Sequence, residues 1–418
     1  MGLDGPISVA VLSDLPYARV NTAAFLIIIA VAMWIESPVI DLLSTATTLG
    51  KDGPSLAVLN RFVAYLVLWV TLAHAFVTLT PAYWVITEQI LGVKPDVAQA
   101  ARFGLAIMLP WSGFIGWRRS RQGLLIRNGA TRLIGIGTLL RVTVLIIADW
   151  TLARWSGFSG IVTASIGLLS SVAAEAIFTH FVSRPTVAKV AATPATGPVL
   201  SMRKLFGFHM PLTATTMMKL MTGPVVAAGL ARSFQPTHSL AAYEVAGTVL
   251  FLFRAIAFCL PEVVIALYSN DATRPVLRKF SLAIGAASSG LLLFLGITRL
   301  DVFIFTKLLH AQADLAEMGH WMFLTSALAP LLDACMAYVL GVLTAHHLTM
   351  ARMAAVLGSS VLMAATVAVT VSMKLAPPLI SGLAMTVALS SELLILAIYW
   401  RNARPGPVGS FAPVSEAA

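Results

Sequence analysis

"GPISVAVLSDLPYARVNTAAF" occupies residues 5–25, and "GPVVAAGLARSFQPTHSLAAY" occupies residues 223–243. At an offset of 218 residues, Gly5-Pro6 falls on Gly223-Pro224, Ala10 on Ala228, Leu12 on Leu230 and Ala23-Ala24 on Ala241-Ala242, with Phe25 on Tyr243. The register continues without a gap. Val31 meets Val249, Leu42 meets Leu260, Leu49 meets Leu267, "VLNRF" (58–62) meets "VLRKF" (276–280), and Gly123 meets Gly341. Such a repeat reads as two copies of one lobe in parallel topology, related by an axis along a membrane normal.

The solvent of these lobes follows from composition. Hydrophobic residues make up 58% of the chain and charged residues 11%, with a mean hydropathy of +0.87. A soluble domain cannot hide that much apolar surface, so the surroundings are lipid. Lipid leaves backbone groups only helices or closed barrels as spanning forms. The apolar runs of roughly 17–30 residues lack the alternation of barrel strands, so helices are expected.

Eleven full spans are predicted, at 22–48, 63–85, 101–117, 133–149, 158–182, 206–229, 239–268, 280–298, 317–344, 353–373 and 378–400. An apolar stub at 5–13 precedes them, about half of the ~20 residues a spanning helix needs. The expected architecture is an all-α polytopic membrane protein of two pseudo-symmetric six-helix lobes with the first helix truncated. The boundaries are 1–182 for the first lobe, 183–205 for a cytoplasmic linker, 206–401 for the second lobe and 402–418 for a cytoplasmic tail. Repeat register places the stub on the outer half of a span whose inner half has no counterpart. A late start codon or natural truncation is the expected reason.

Charge sets the orientation. The loops at 49–62, 118–132, 183–205, 269–279 and 345–352, with the tail, hold 17 of the 28 Lys and Arg residues. The alternate loops hold 8, so the positive-inside rule makes the first set and the C-terminus cytoplasmic. The cluster Arg118, Arg119, Arg121, Arg127 and Arg132 reads chiefly as an anchor of this kind, with anionic headgroup or phosphate binding as a second reading. No basic soluble domain exists to hold nucleic acid, and the net charge of +10 is mostly topology. Cys259 and Cys335 lie in apolar runs as packing residues. The eight histidines are scattered, which argues against a membrane-embedded enzyme and against a metal site, and no phosphate-binding Gly-Lys-Ser/Thr loop is present. No cofactor is implied, and a monomer is expected.

The Pro-interrupted span "FGFHMPLTATTMMKLMTGP" (206–224), in a chain of two six-span lobes, resembles the multidrug/oligosaccharidyl-lipid/polysaccharide exporter superfamily. "AAFLIIIAVAMWIESPVIDLLSTATTL" (23–49) and "LPWSGFIGWRRSRQGLLIRNGATRLIGIGTLLR" (109–141) resemble its MATE-like branch related to the progressive ankylosis protein. The resemblance implies a two-lobe transporter alternating access around a central cleft and exporting amphipathic compounds or anions of the citrate and pyrophosphate type. Members have twelve spans, so the half-span is a departure. No substrate residues carry over, because the branch has no short motif that fixes them.

Ionisable groups at bilayer depth are costly and mark function by default. Glu36 lies near the centre of its span, and the repeat places Arg254 at the same depth in the second lobe. Either the two face each other across a cleft as a switchable charge pair, or each is satisfied within its own lobe. Lys219 precedes Gly223-Pro224 and adds positive charge for an anion. Asp333 follows Pro330 and Glu262 follows Pro261, where a proline loosens the helix, and both are candidate proton carriers. Glu175, Glu392 and Arg141 rank below these. Lysine in the seventh span argues against sodium and for proton or anion coupling. The sequence therefore points to a secondary exporter and antiporter of small organic anions or amphipathic molecules. A flippase for a lipid-linked saccharide or other anionic lipid is the alternative.

Overall fold

A computed structural model describes residues 3–195, 200–267, 273–345 and 349–402. Among them every regular element is a helix: α1 (Asp4–Asp14), α2 (Ala18–Ile40), α3 (Leu42–Leu49), α4 (Gly53–Leu79), α5 (Ala82–Trp84), α6 (Pro95–Ile107), α7 (Trp111–Arg127), α8 (Arg132–Trp155), α9 (Gly160–Ala192) and α10 (Met202–Leu220). The remainder are α11 (Thr222–Ala231), α12 (Pro236–Ala255), α13 (Leu260–Leu267), α14 (Arg274–Ile297), α15 (Leu300–Phe303), α16 (Ala313–Thr325), α17 (Ala329–Ala345), α18 (Thr349–Ser372) and α19 (Pro377–Asn402), with π-helical turns at Val85–Ile90 and Ile304–Leu308 and a 3-10 turn at Ala257–Cys259. The apolar stub is thus an 11-residue helix.

The repeat is written into these boundaries. At the offset of 218, α3 maps onto α13, α6 onto α16 and α7 onto α17 with both ends coincident, while α2 and α12 share their starts and α4 and α14 their ends. Backbone strain repeats as well. Tyr17 and its counterpart Gln235 have φ of 59° and 51°, and Gly92 and its counterpart His310 have φ of 73° and 52°. Side-chain-bearing residues seldom adopt this left-handed region, so a coincidence in register marks the same turn built twice.

Eight of the expected spans are helices long and apolar enough to cross a membrane among the described residues. The other three, at 101–117, 206–229 and 239–268, are interrupted, as are two of the eight, 22–48 at Asp41 and 317–344 between Thr325 and Ala329. The first breaks at Met108–Pro110, between α6 and α7, because Pro110 lacks an N–H and the residue before a proline disfavours the helical region. The second breaks at Met221 and the third around Ile256. The expected connector also shortens: α9 continues through Pro185 to Ala192.

The chain divides into two compact units, Leu3–Val245 with Ile304–Ala316, and Ala246–Phe303 with Glu317 onward. Lipid supplies no hydrophobic drive between helices, so small residues that let backbones approach must supply the packing. Gly123 of α7 shows this in the first unit, where a Cβ would lie 2.5 Å from the Leu43 carbonyl oxygen of α3. Its repeat counterpart Gly341 of α17 does the same in the second, where a Cβ would lie 2.6 Å from Val264 of α13. The outer faces carry exposed Trp69, Leu72 and Phe76 on α4 and Phe294 and Ile297 on α14, as a lipid-facing surface requires.

Candidate functional site

Inside the first unit, charged side chains converge from several helices. Glu175 of α9 accepts a hydrogen bond from Arg118 of α7, and both are buried, at 1% and 2% exposure. Gln122, one turn beyond Arg118, donates through Nε2 to Glu175 Oε1 at 3.0 Å. Arg141 of α8 places Nε 3.4 Å from Glu175 Oε2 and Nη2 3.3 Å from Asp4 Oδ2 of α1. One carboxylate therefore sits between two guanidiniums, and the second guanidinium reaches the half-span helix. Buried charges of this kind hold only when each is paired and hydrogen-bonded.

Asp149 lies further along α8 and is fully buried. Ser8, one turn beyond Asp4, donates to Asp149 Oδ2 at 3.3 Å. Room for the carboxylate comes from Gly167 of α9, where a Cβ would lie 1.8 Å from Asp149 Oδ1. Among the described residues Asp149 has no ion-pair partner within 4 Å, in contrast to Glu175 and Asp4. It is the carboxylate of this cluster held by a neutral hydroxyl.

The sequence candidates distribute as follows. Glu36 of α2 is buried, with Arg118, Arg119 and the Trp111 indole of α7 acting on it. Arg254 of α12 grips Asp333 of α17 in a bidentate pair, Nε to Oδ2 at 2.5 Å and Nη2 to Oδ1 at 3.2 Å. The structure thus brings Arg254 together with Asp333 and gives Glu36 cations of its own unit. Since α2 corresponds to α12 and α7 to α17, the two repeats place opposite charges on the same helix pair with the polarity reversed. Lys219 is half-buried in the last turn of α10, before the break at Met221. Glu262 belongs to α13, and its side chain lies outside the described residues. Pro330 and Pro261 occupy the second positions of α17 and α13 rather than helix interiors, a place where a missing N–H costs nothing.

Sequence reasoning passed over several of these groups. Arg118 and Arg121, read as part of a surface anchor, are interior residues of α7. Asp149 stood at the very end of an expected span, and Asp4 in the stub. His209 of α10 was one of several scattered histidines, yet it is fully buried between Thr45 Oγ1 at 2.8 Å from Nδ1 and the Pro38 carbonyl at 2.9 Å from Nε2. In the second unit His320 and Asp301 form another buried pair, Nδ1 to Oδ2 at 2.7 Å. A signal existed only for Asp149, as a carboxylate in an apolar run.

No protein-family model matches the sequence, and no curated protein does. Solved structures do. A MATE family multidrug resistance transporter of the MOP superfamily, in its inward-facing conformation, superposes with a TM-score of 0.77 over 96% of this chain and 94% of its own, at 12% identity. The chain has the MATE-like fold. The MATE-like fold is matched again by an outward-facing MATE family structure, with a TM-score of 0.64 over 96% of this chain and 94% of the other at 11% identity. The lipid II flippase MurJ in an inward closed conformation gives 0.71 over 96% of this chain and 85% of its own at 13% identity.

Proposed function

We propose that the chain is a secondary active transporter that exports small organic anions or amphipathic molecules by alternating access between two pseudo-symmetric lobes, driven by a proton gradient. The observation that carries this reading is Asp149, a carboxylate buried at span depth beside a hydroxyl and next to a closed network of paired charges. A group of this type is expensive in a membrane and is kept where protons move. The neighbouring Asp4–Arg141–Glu175–Arg118 chain keeps its charges paired, so proton uptake falls on Asp149. Ser8 supports the exchange, because its hydroxyl donates to the carboxylate and accepts from the protonated acid. Proton arrival therefore changes the hold on α1, the element that meets both α8 and α9, and gives the two protonation states different geometries. The Lys/Arg bias supports a cytoplasmic C-terminus in a bacterial inner membrane.

A second reading, flipping of a lipid-linked saccharide or other anionic lipid, is favoured by the likeness to MurJ and by the cationic Lys219. Proteoliposomes with an imposed pH gradient separate the two. Citrate, pyrophosphate and a cationic dye serve as soluble probes, and a fluorescent lipid-linked saccharide as the lipid probe. Movement of a soluble probe that D149N abolishes is the expected result. Movement of the lipid probe alone supports the second reading, and gradient-driven flux that is unchanged in D149N removes the proposed coupling site.

A further inference from the structure

A cavity of about 300 Å³ opens at one end of the second unit, between α14, α17 and α19. Arg274, Pro275 and Arg278 line it from α14, Tyr338, Val339 and Val342 from α17, and Ala397 and Trp400 from α19. Its floor is the packed cluster of Val264, Leu277 and Val342, against which Tyr338 and Trp400 rest. Arg278, Pro275 and Ala397 are exposed, so the cavity communicates with the bundle surface.

We infer that this cavity is a binding site for one anionic phospholipid, with the phosphate held by Arg274 and Arg278 and an acyl chain lying along Val339, Val342 and Ala397. The charge argument is direct. Arg274 and Arg278 are one turn apart on the same face, an arrangement of like charges that opposes itself unless an anion lies between them. The described lining offers two cations and no carboxylate. Arg274 stacks its guanidinium over the Trp400 ring at 4.6 Å. Stacking uses the flat face of the group and leaves the N–H edges directed outward, the geometry that receives phosphate oxygens.

The rest of the lining decides between a lipid and a free anion. A soluble phosphate site is closed by further polar donors, whereas here the arginines give way to valine and alanine running along two spans. The cavity stands where the spans end, with Trp400 and Tyr338 at the level that aromatic side chains take at a membrane interface. Tyr338 Oη donates to the Arg274 carbonyl at 3.4 Å and ties the arginine-bearing end of α14 to α17. A headgroup seated there would clamp three helices of one unit.

The test uses the full chain in neutral detergent, titrated with phosphatidylglycerol, phosphatidylcholine of the same acyl chains, glycerol 3-phosphate or inorganic phosphate. Native mass spectrometry reads bound lipid, and thermal unfolding reads stabilisation. Phosphatidylglycerol is expected to fill one site at least tenfold more tightly than phosphatidylcholine and to raise the unfolding midpoint. R274Q/R278Q loses that site and that rise, and neither soluble phosphate displaces the lipid at equal concentration. R278Q alone, at an exposed position, and W400F, which removes the indole under Arg274, are expected to weaken the same site should the double variant fail to fold. Equal binding of the two lipids, a preference that survives in R274Q/R278Q and R278Q, or full displacement by inorganic phosphate each overturns the assignment.

Discussion

Asp14 and His310 meet at 2.7 Å across 296 residues of chain, and their counterparts in the other repeat, Arg232 and Gly92, meet as well. Arg232 follows the end of α11 and donates to the carbonyls of Gln89, Ile90 and Leu91 around the Gly92 turn. Asp14 ends α1 and holds the turn at His310, which has the same left-handed backbone as Gly92. Each repeat thus grasps the equivalent turn of the other. Arg19 adds a bond to Gln312 at 2.7 Å and an ion pair with Asp314, and His238 stands 3.8 Å from Asp314. All of these contacts lie within one compact unit, and those of Asp14 and Arg19 are made by exposed polar groups.

The clasp is expected to show two energetic components. D14A/R19A removes exposed ion pairs worth about 0–1 kcal/mol in total, and the loss should fade as salt screens them beyond a Debye length of ~10 Å. R232A strips three carbonyls of a charged donor and should cost about 1.5–3 kcal/mol with far less salt dependence. Thermal unfolding at low and high ionic strength checks both. An identical salt response of the two variants contradicts the division.

Glu175 is expected to be the most sensitive residue of the first unit. E175A leaves Arg118 and Arg141 buried without their shared carboxylate, a loss of about 3–5 kcal/mol. R118M/E175M removes a buried pair together and leaves Arg141 with Asp4, so it should recover most of that stability. Size-exclusion profiles and unfolding midpoints in detergent distinguish the variants, and a double variant no better than E175A argues against the pairing.

Asp149 is expected to matter for flux rather than for folding. D149N keeps the shape and the Ser8 contact while removing the titratable group, so the protein should stay monodisperse and lose gradient-driven transport. G167A should imitate it, because a Cβ at that position occupies the place of Asp149 Oδ1. Flux in proteoliposomes with and without a pH gradient is the measurement. Gradient-driven flux in G167A equal to that of the unmodified chain would show that the close approach is dispensable.

His209 is expected to lock α10 against the α2–α3 break. Nε2–H donates to the Pro38 carbonyl in the last turn of α2, where the helix leaves acceptors unpaired, and Nδ1 then accepts from Thr45. H209A abandons two buried partners at about 1–3 kcal/mol each, whereas H209Q retains one bond and should fall between. Hydrogen exchange at 39–45 reads the local effect directly: protection there should fall in H209A and return in part in H209Q.

Much of the fold was legible because the repeat preserves spacing. Gly123 and Gly341 were found by register alone, and the structure gives both the same task of close helix approach. What sequence could not show is which face each charge occupies. Arg118 and Arg121 looked like a surface loop because three charges in the four positions 118–121 outweigh the apolar residues around them, yet α7 buries both, Arg118 against Glu175 and Arg121 over the Trp117 ring. Glu36 and Arg254 were legible as equivalents, but equivalence means the same place in two copies, not contact. Asp333, the partner of Arg254, lies 79 residues away, and the arginines whose charge bears on Glu36 lie on α7, so both relationships required the tertiary fold. Asp301 and His320 are a similar case, joined by a turn that composition does not encode.

The reversed polarity of the two helix pairs has a consequence for how the chain assembles as it is inserted. Two repeats in matching register invite exchange, α2 settling on α17 or α12 on α7. The first error would set Glu36 against Asp333, and the second would set Arg254 against Arg118 and Arg119. Like charges desolvated together are strongly unfavourable, so each mispairing is penalised where the correct one is rewarded. In a chain whose α3, α6 and α7 match α13, α16 and α17 end for end, these few side chains distinguish the helices of one copy from those of the other.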